Sequence, residues 1–156
     1  MPDKVSFTLN GVARESAARE DTPILYVLRN DLGVKSPRYG CGAEQCGSCM
    51  VLVDGKVAYA CTTQLASVRG CVITTVEGLG TESKPHPLQR ALLDEQAAQC
   101  GYCLPGILMR AAALLAETPR PDEAAVRKAL DGNLCRCGAH NRIVRAVLRA
   151  ASEAVA

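Results

Sequence analysis

Arg38-Tyr39-Gly40-Cys41-Gly42-Ala43-Glu44-Gln45-Cys46-Gly47-Ser48-Cys49-Met50-Val51 is the stretch on which the fold of this chain turns. From Cys41 to Cys49 it is too rich in Gly and Cys for a regular element, so it reads as a loop with a task. Directly behind it, Met50 to Val53 and Lys56 to Ala60 are apolar runs joined by Asp54-Gly55, a strong short-range hairpin signal. The loop is therefore carried by a rigid ribbon that ends at Cys61. Upstream, Val5 to Leu9 alternates apolar and polar residues, Asn10-Gly11 signals a type I′ turn, and Val12 begins a return strand. Asp21 or Thr22 is expected to cap a helix with Pro23 in its first turn, Leu25, Leu28 and Leu32 on its apolar face, and Gly33 as its stop. Val72 to Val76 is a further β-branched strand. The first half is β-rich with one helix.

Beyond Pro87 the texture changes to Ala, Leu and Arg at helical spacing. Leu88, Ala91 and Leu92 mark one helix, and Pro105 opens a second through Ile107, Leu108, Ala111 and Leu115. Asp122 caps a third, which stops at Gly132. A fourth runs from about Asn141, with Ile143, Val144, Val147, Leu148 and Ala151 inward and Arg142, Arg145 and Arg149 on the other side. That outer side reads as a solvated face, with a docking stripe for a partner as the alternative. Glu77 to Pro85, containing Gly78 and Gly80, reads as a linker. The expected class is α+β, with one domain over residues 1–78 and a helical one over 79–156. Each falls near or below the roughly 80 residues at which a hydrophobic core alone is marginal, so a metal site in each would act as a staple.

The 156 residues contain nine Cys, one Phe, four Tyr and no Trp, and 18 basic residues against 16 acidic ones leave a formal charge of +2. So small a charge builds no basic field, which argues against nucleic acid as a partner. No run approaches the roughly 18 apolar residues of a membrane span, and Met1 to Asn10 lacks the pattern of a secretory signal. The chain reads as cytoplasmic, with any membrane association coming through partner subunits. In a reducing compartment nine thiols point to metal rather than to disulfides.

Cys41-x4-Cys46-x2-Cys49, with Cys61 after 11 more residues, has the plant-type spacing of a [2Fe-2S] cluster. A cluster held by four thiolates is anionic, and Gly40, Gly42 and Gly47 let the backbone fold over it with N–H groups aimed at sulfur. Zinc is the alternative, although zinc sites more often pair C-x2-C knuckles and include His. The second group, Cys100-x2-Cys103 and Cys135-x-Cys137, fits zinc and iron about equally by spacing. Cys71 has no Cys partner at ligand spacing and reads as a buried structural thiol. His86 and His140 read as surface or capping residues, and no nucleophile or paired-carboxylate motif is present.

RYGCGAEQCGSCMV (38 to 51), ACTTQ (60 to 64), QCGYCLPG (99 to 106) and NLCRCGAH (133 to 140) together resemble the small iron-sulfur subunit of molybdenum hydroxylases, the xanthine oxidase family. The resemblance spans nearly the whole chain. It implies a plant-type ferredoxin-like β-grasp domain followed by a four-helix bundle, each holding a [2Fe-2S] cluster. It assigns Cys41, Cys46, Cys49 and Cys61 to an outer cluster. Cys100, Cys103, Cys135 and Cys137 fall to an inner one, near molybdenum. Gln99 and Cys137 would contact the molybdopterin cytosine dinucleotide of a large partner protein, although Gln99 also suits a helix end and Cys137 a ligand role alone.

The implied role is electron transfer from that partner to an external acceptor, a cytochrome c-type or flavin subunit, with no substrate chemistry on this chain. Glu77-Gly78-Leu79-Gly80, His86-Pro87-Leu88-Gln89 and AAQCGYC look most like small subunits of nicotinate and isoquinoline dehydrogenases, whose partners hydroxylate N-heteroaromatic rings with oxygen from water. Small subunits of aldehyde-oxidising members are similar as well. GAEQCGSC resembles members that pass electrons to cytochrome c. A free-standing two-cluster ferredoxin and a zinc-stabilised interaction module are the rival classes.

Overall fold

The computed structural model describes residues 4–153. Strands β1 (Val5–Leu9) and β2 (Val12–Ser16) form the first expected hairpin, and β3 (Met50–Val53) and β4 (Lys56–Tyr59) form the second. Both turns take the left-handed backbone their sequences demand, with positive φ at Asn10, Gly11, Asp54 and Gly55. With β5 (Val72–Thr74), the strands make one mixed sheet in the order β2-β1-β5-β3-β4. β1 runs parallel to β5, and the other pairs are antiparallel. The expected strand through Val76 stops at Thr74 because the Asn10 side chain takes over the ladder. Its Oδ1 accepts from the Thr75 N–H at 2.9 Å, and its Nδ2 donates to Thr75 Oγ1 at 2.9 Å. A 3-10 turn over Val76–Gly78 follows.

The helix behind Pro23 is α1 (Ile24–Tyr26), which widens into a π-helical turn over Val27–Asp31. Neither Asp21 nor Thr22 caps it. Pro23 occupies the N-cap position, and the Asp21 carboxylate is held by the Arg19 guanidinium at 2.7 Å. The first N–H groups of the helix are satisfied from far along the chain, Ile24 by the Thr63 carbonyl at 2.8 Å and Leu25 by Ala60 at 2.9 Å. Leu25, Leu28, Val51, Leu65 and Ile73 then bury completely or nearly so against the sheet. A 3-10 turn over Leu65–Val68 contributes Leu65 and Val68 to the same cluster.

Helices α2 (Pro87–Asp94), α3 (Leu104–Glu117), α4 (Glu123–Leu130) and α5 (His140–Glu153) share a second apolar cluster around Leu88, Ile107, Val126 and Ile143. The class is α+β. His86 caps α2, its Nδ1 accepting from the Leu88 N–H while Gln89 Oε1 accepts from the His86 N–H at 2.8 Å. Asp122 caps α4 through the Ala125 N–H at 2.7 Å. The arginines of α5 are tied inward: Arg142 to the Gln96 carbonyl, Arg145 to Glu95, and Arg149 to Asp94, Glu95 and Glu153. They join α5 to the end of α2.

The segment read as a linker does not run free. Glu77 Oε2 accepts from the Ser36 hydroxyl at 2.5 Å and the Thr75 hydroxyl at 2.6 Å, and Leu79 packs on the helical core. A third buried cluster, Met50 and Leu52 of β3 against Met109 and Ala113 of α3, joins sheet and helices. Strand alternation sends Val51 into one core while Met50 and Leu52 face α3. The cysteine loop immediately before Met50 is thereby held against the N-terminal end of α3.

Candidate metal centres

The loop before β3 is built to point N–H groups at sulfur. Cys41 N–H donates to Cys46 Sγ at 3.3 Å, and the N–H groups of Ala43 and Gln45 donate to Cys41 Sγ at 3.3 and 3.2 Å. Gly42 and Gly47 supply left-handed turns, and Gly40 leaves room where a Cβ would lie 2.5 Å from Cys46 Sγ. The N–H groups of Ala43 and Gln45 bring the exposed Cys41 thiol down to about 7. Cys49 lies deeper, and burial together with the facing Cys61 thiol pushes it up to about 12. Ala60 N–H donates to the Cys49 carbonyl at 3.3 Å, which sets Cys61 beside Cys49 at the end of the ribbon.

Four helices bring the second group together from two distant segments. Cys100, Cys103, Cys135 and Cys137 line one small cavity with Gln99, Gly101 and Ala139. Cys137 Sγ and Cys100 Sγ are 3.4 Å apart, close to the roughly 3.8 Å separating thiolates on one tetrahedral metal with bonds of ~2.3 Å. Burial and the facing Cys135 thiol raise Cys103 to about 12. The Tyr102 N–H lowers the Cys100 thiol first, with help from Cys137. Burial works to raise Cys135, but the N–H groups of Ala139, Cys137 and Gly138 and the Cys103 thiol outweigh it.

Among the described residues, no three His, Cys, Asp or Glu side chains converge as they would on a single ion. The thiols associate two by two instead: Cys41 with Cys46, Cys49 with Cys61, Cys100 with Cys137, Cys103 with Cys135. Eight sulfurs in two sets of paired thiols, with N–H donors aimed at those of the first set, fit a binuclear iron-sulfur core at each site.

Gln99 Nε2 donates to the Cys137 carbonyl at 3.0 Å, tying the segment before Cys100 to the last cysteine. Gln99 also borders a polar cleft with Gln96, Gly138, Asn141, Arg142 and Arg145, and Gly138 adjoins Cys137. Cys71 stands apart from both groups. It is partly exposed just before β5 and packs on the edge of the sheet core, with Asp54 nearby, so the expectation of a buried thiol is corrected to a half-buried one.

Several residues around the sites have no local sequence signal. Arg38 Nη1 donates to the Gly101 carbonyl at 3.0 Å, Tyr102 Oη donates to the Tyr39 carbonyl at 2.6 Å, and Leu134 N–H donates to the Cys46 carbonyl at 3.0 Å. All three bonds link the two cysteine groups. Asn133 is buried beside Gly47, with Nδ2 on Met50 Sδ at 3.4 Å and, among the described residues, no partner for Oδ1.

Two family models match the chain, a 2Fe-2S iron-sulfur cluster binding domain over residues 7–105 and a [2Fe-2S] binding domain over residues 75–148. A subunit of the nicotinate dehydrogenase of Pseudomonas putida is 51% identical over 151 residues, covering 97% of this chain and 96% of that one. The alpha subunit of isoquinoline 1-oxidoreductase from Brevundimonas diminuta is 46% identical, with 96% and 99% covered. Quinoline 2-oxidoreductase from Pseudomonas putida contains a chain that superposes with a TM-score of 0.93 at 37% identity, covering 97% of this chain and 94% of that one.

Proposed function

Because the chain belongs to the iron-sulfur subunits of the xanthine oxidase family of molybdenum hydroxylases, we propose that it relays electrons from a partner that hydroxylates an N-heteroaromatic ring. The observation that supports this most is the meeting of eight cysteines in two paired sets, in a chain related end to end to a nicotinate dehydrogenase subunit. The two clusters supply one-electron carriers in series, between the molybdenum cofactor of a large subunit on one side and an external acceptor on the other. Cys41, Cys46, Cys49 and Cys61 hold the outer one, on a ferredoxin-like β-grasp domain over residues 1–78. Cys100, Cys103, Cys135 and Cys137 hold the inner one, on a four-helix bundle over residues 79–156.

Gln99 and Cys137 face the partner's molybdopterin, in its cytosine dinucleotide form. The hydrogen bond from Gln99 to the Cys137 carbonyl fixes both at the rim of the polar cleft, which supports that role. The substrate oxygen comes from water, and the acceptor is a cytochrome c-type protein; the other arrangement is a flavin subunit. An aldehyde-oxidising partner is the second reading. The complex is cytoplasmic; among the described residues no helix is long and apolar enough to cross a membrane.

Metal analysis of the purified protein tests the assignment. Two irons at each of two sites and a red-brown colour are expected, and zinc without iron would defeat it. Co-purification with a large molybdenum-containing chain is required, whereas a fully loaded monomer without any partner would favour a free-standing ferredoxin. Turnover of nicotinate-type rings by that complex, against aldehydes, decides the substrate class.

A further inference from the structure

We propose that Arg38 tunes the reduction potential of the cluster held by Cys100, Cys103, Cys135 and Cys137, acting across the domain boundary through the Gly101–Tyr102 peptide group. The proposal rests on the assignment of those four cysteines to one cluster. Arg38 is fixed from its own side, its N–H donating to the Ser48 carbonyl at 3.1 Å inside the first cysteine loop. Its side chain leaves that loop, donates from Nη1 to the Gly101 carbonyl at 3.0 Å, and lies over the Tyr102 ring at 5.1 Å. Tyr102 returns a bond, Oη to the Tyr39 carbonyl at 2.6 Å, so the two cysteine loops hold each other at neighbouring residues.

The Gly101 carbonyl and the Tyr102 N–H are the two ends of one planar peptide group. That peptide group is the middle of the Cys100-x2-Cys103 turn, so a guanidinium on its carbonyl oxygen sets a positive charge inside the loop that carries two of the four sulfurs. It also polarises the peptide group, which strengthens its N–H as a donor. The reduced cluster carries one more negative charge than the oxidised one, so N–H···S bonds and nearby positive charge favour it and raise the potential. In the first loop the donors to Cys41 and Cys46 come from Cys41, Ala43 and Gln45 of the loop itself. Arg38 therefore acts more strongly on the second group than on the one next to it in sequence. Arginine stays charged at every working pH, so the tuning is constant with pH. The helical half acquires its working potential only when the first half is docked on it.

The test is a reductive titration, followed by EPR, of the iron-loaded protein purified with its large subunit. Arg38→Met is expected to cut the ratio of reduced to oxidised inner cluster about tenfold at a fixed solution potential, ~59 mV for one electron. The outer cluster shifts by less than half of that. Arg38→Lys recovers part of the loss, and Tyr102→Phe, which keeps the ring and the peptide, stays within about twofold of the unaltered protein. An unmoved inner cluster, equal shifts of both clusters, or a Tyr102→Phe effect as large as that of Arg38→Met would overturn the proposal. If Arg38→Met fails to load the inner cluster, Arg38→Lys must titrate above Arg38→Gln, and equality or the reverse order refutes tuning by charge. Failure of the underlying ligand assignment looks different, as a missing second signal in the unaltered protein.

Discussion

A Cβ placed on Gly106 would lie 1.8 Å from the carbonyl oxygen of Gly47. Gly106 is in the first turn of α3, and Gly47 separates Cys46 from Ser48, so the helix backbone rests directly on the cysteine loop. No side chain separates the two halves at this point. Gly106→Ala is consequently expected to push the loop off the helix rather than to repack locally. Overpacking against backbone puts the cost near the upper end of its usual range, about 3 kcal/mol. For a chain of this size that is roughly 6–12 °C in melting temperature. Calorimetry of the iron-loaded protein checks it, and a variant melting within a degree of the parent would show that the contact yields.

Replacing single cysteines separates ligand from bystander. Cys103 lies among the sulfurs that line the helical cavity, and Cys135 is its facing thiol. Cys103→Ser is expected to abolish one of two reduced-cluster EPR signals and to leave the other. Loss of both, or of neither, would contradict two independent sites. Cys71 packs only on the sheet edge, with its Sγ 3.9 Å from the Ser67 carbonyl, so Cys71→Ser should leave both signals intact.

What could be read in advance followed from local constraints. Asn10-Gly11 and Asp54-Gly55 announce hairpins because few other residues accept the left-handed backbone such turns require, and both turns formed. His86 and Asp122 cap helices through atoms within three residues. The failures share a cause, a partner supplied from far along the chain. Asp21 does not cap α1 because Ala60 and Thr63 already satisfy that helix end, and β5 stops short because Asn10 bonds to Thr75. Glu77 to Pro85 has the composition of a linker, yet Ser36, 41 residues upstream, holds Glu77. The same limit governed the sites. The first cysteine group is contiguous enough to be recognised by spacing. The second needs α3 and α4 to return Cys135 and Cys137 to Cys100, and only resemblance to a family supplied that closure.

The arginines of α5 provide a contrast in magnitude. Arg149 meets Asp94 at 3.0 Å and Glu153 at 2.8 Å, but both the guanidinium and its partners are about 40% exposed. Ion pairs in that setting contribute little because water screens them and long side chains must be held still. Arg149→Met is expected to leave the midpoint of urea unfolding close to that of the parent, with still less difference at high salt. A clear fall in the midpoint would mean that the α2–α5 contact depends on this network rather than on Leu88, Ile143 and Val147 beneath it.

Glu77 is where acid should act on the fold. Burial tends to raise its pKa, but hydrogen bonds from the Ser36 and Thr75 hydroxyls outweigh this and hold it below the ordinary carboxylate value. A carboxylate depressed in the folded state adds stability above its unfolded pKa, and that stability is lost as pH falls through the folded one. The clamp binds the segment before the first cysteine loop to the turn after β5, so acid loosens the entry to that loop. Hydrogen bonds to a charged acceptor are worth about 1.5–3 kcal/mol when enclosed, and the exposure of Glu77 reduces the expectation to about 1 kcal/mol. Glu77→Gln should therefore melt lower than the parent at pH 7, and the gap should close below about pH 4. Melting curves across that range decide the point, since a gap that persisted in acid would show that the side chain acts by shape and not by charge.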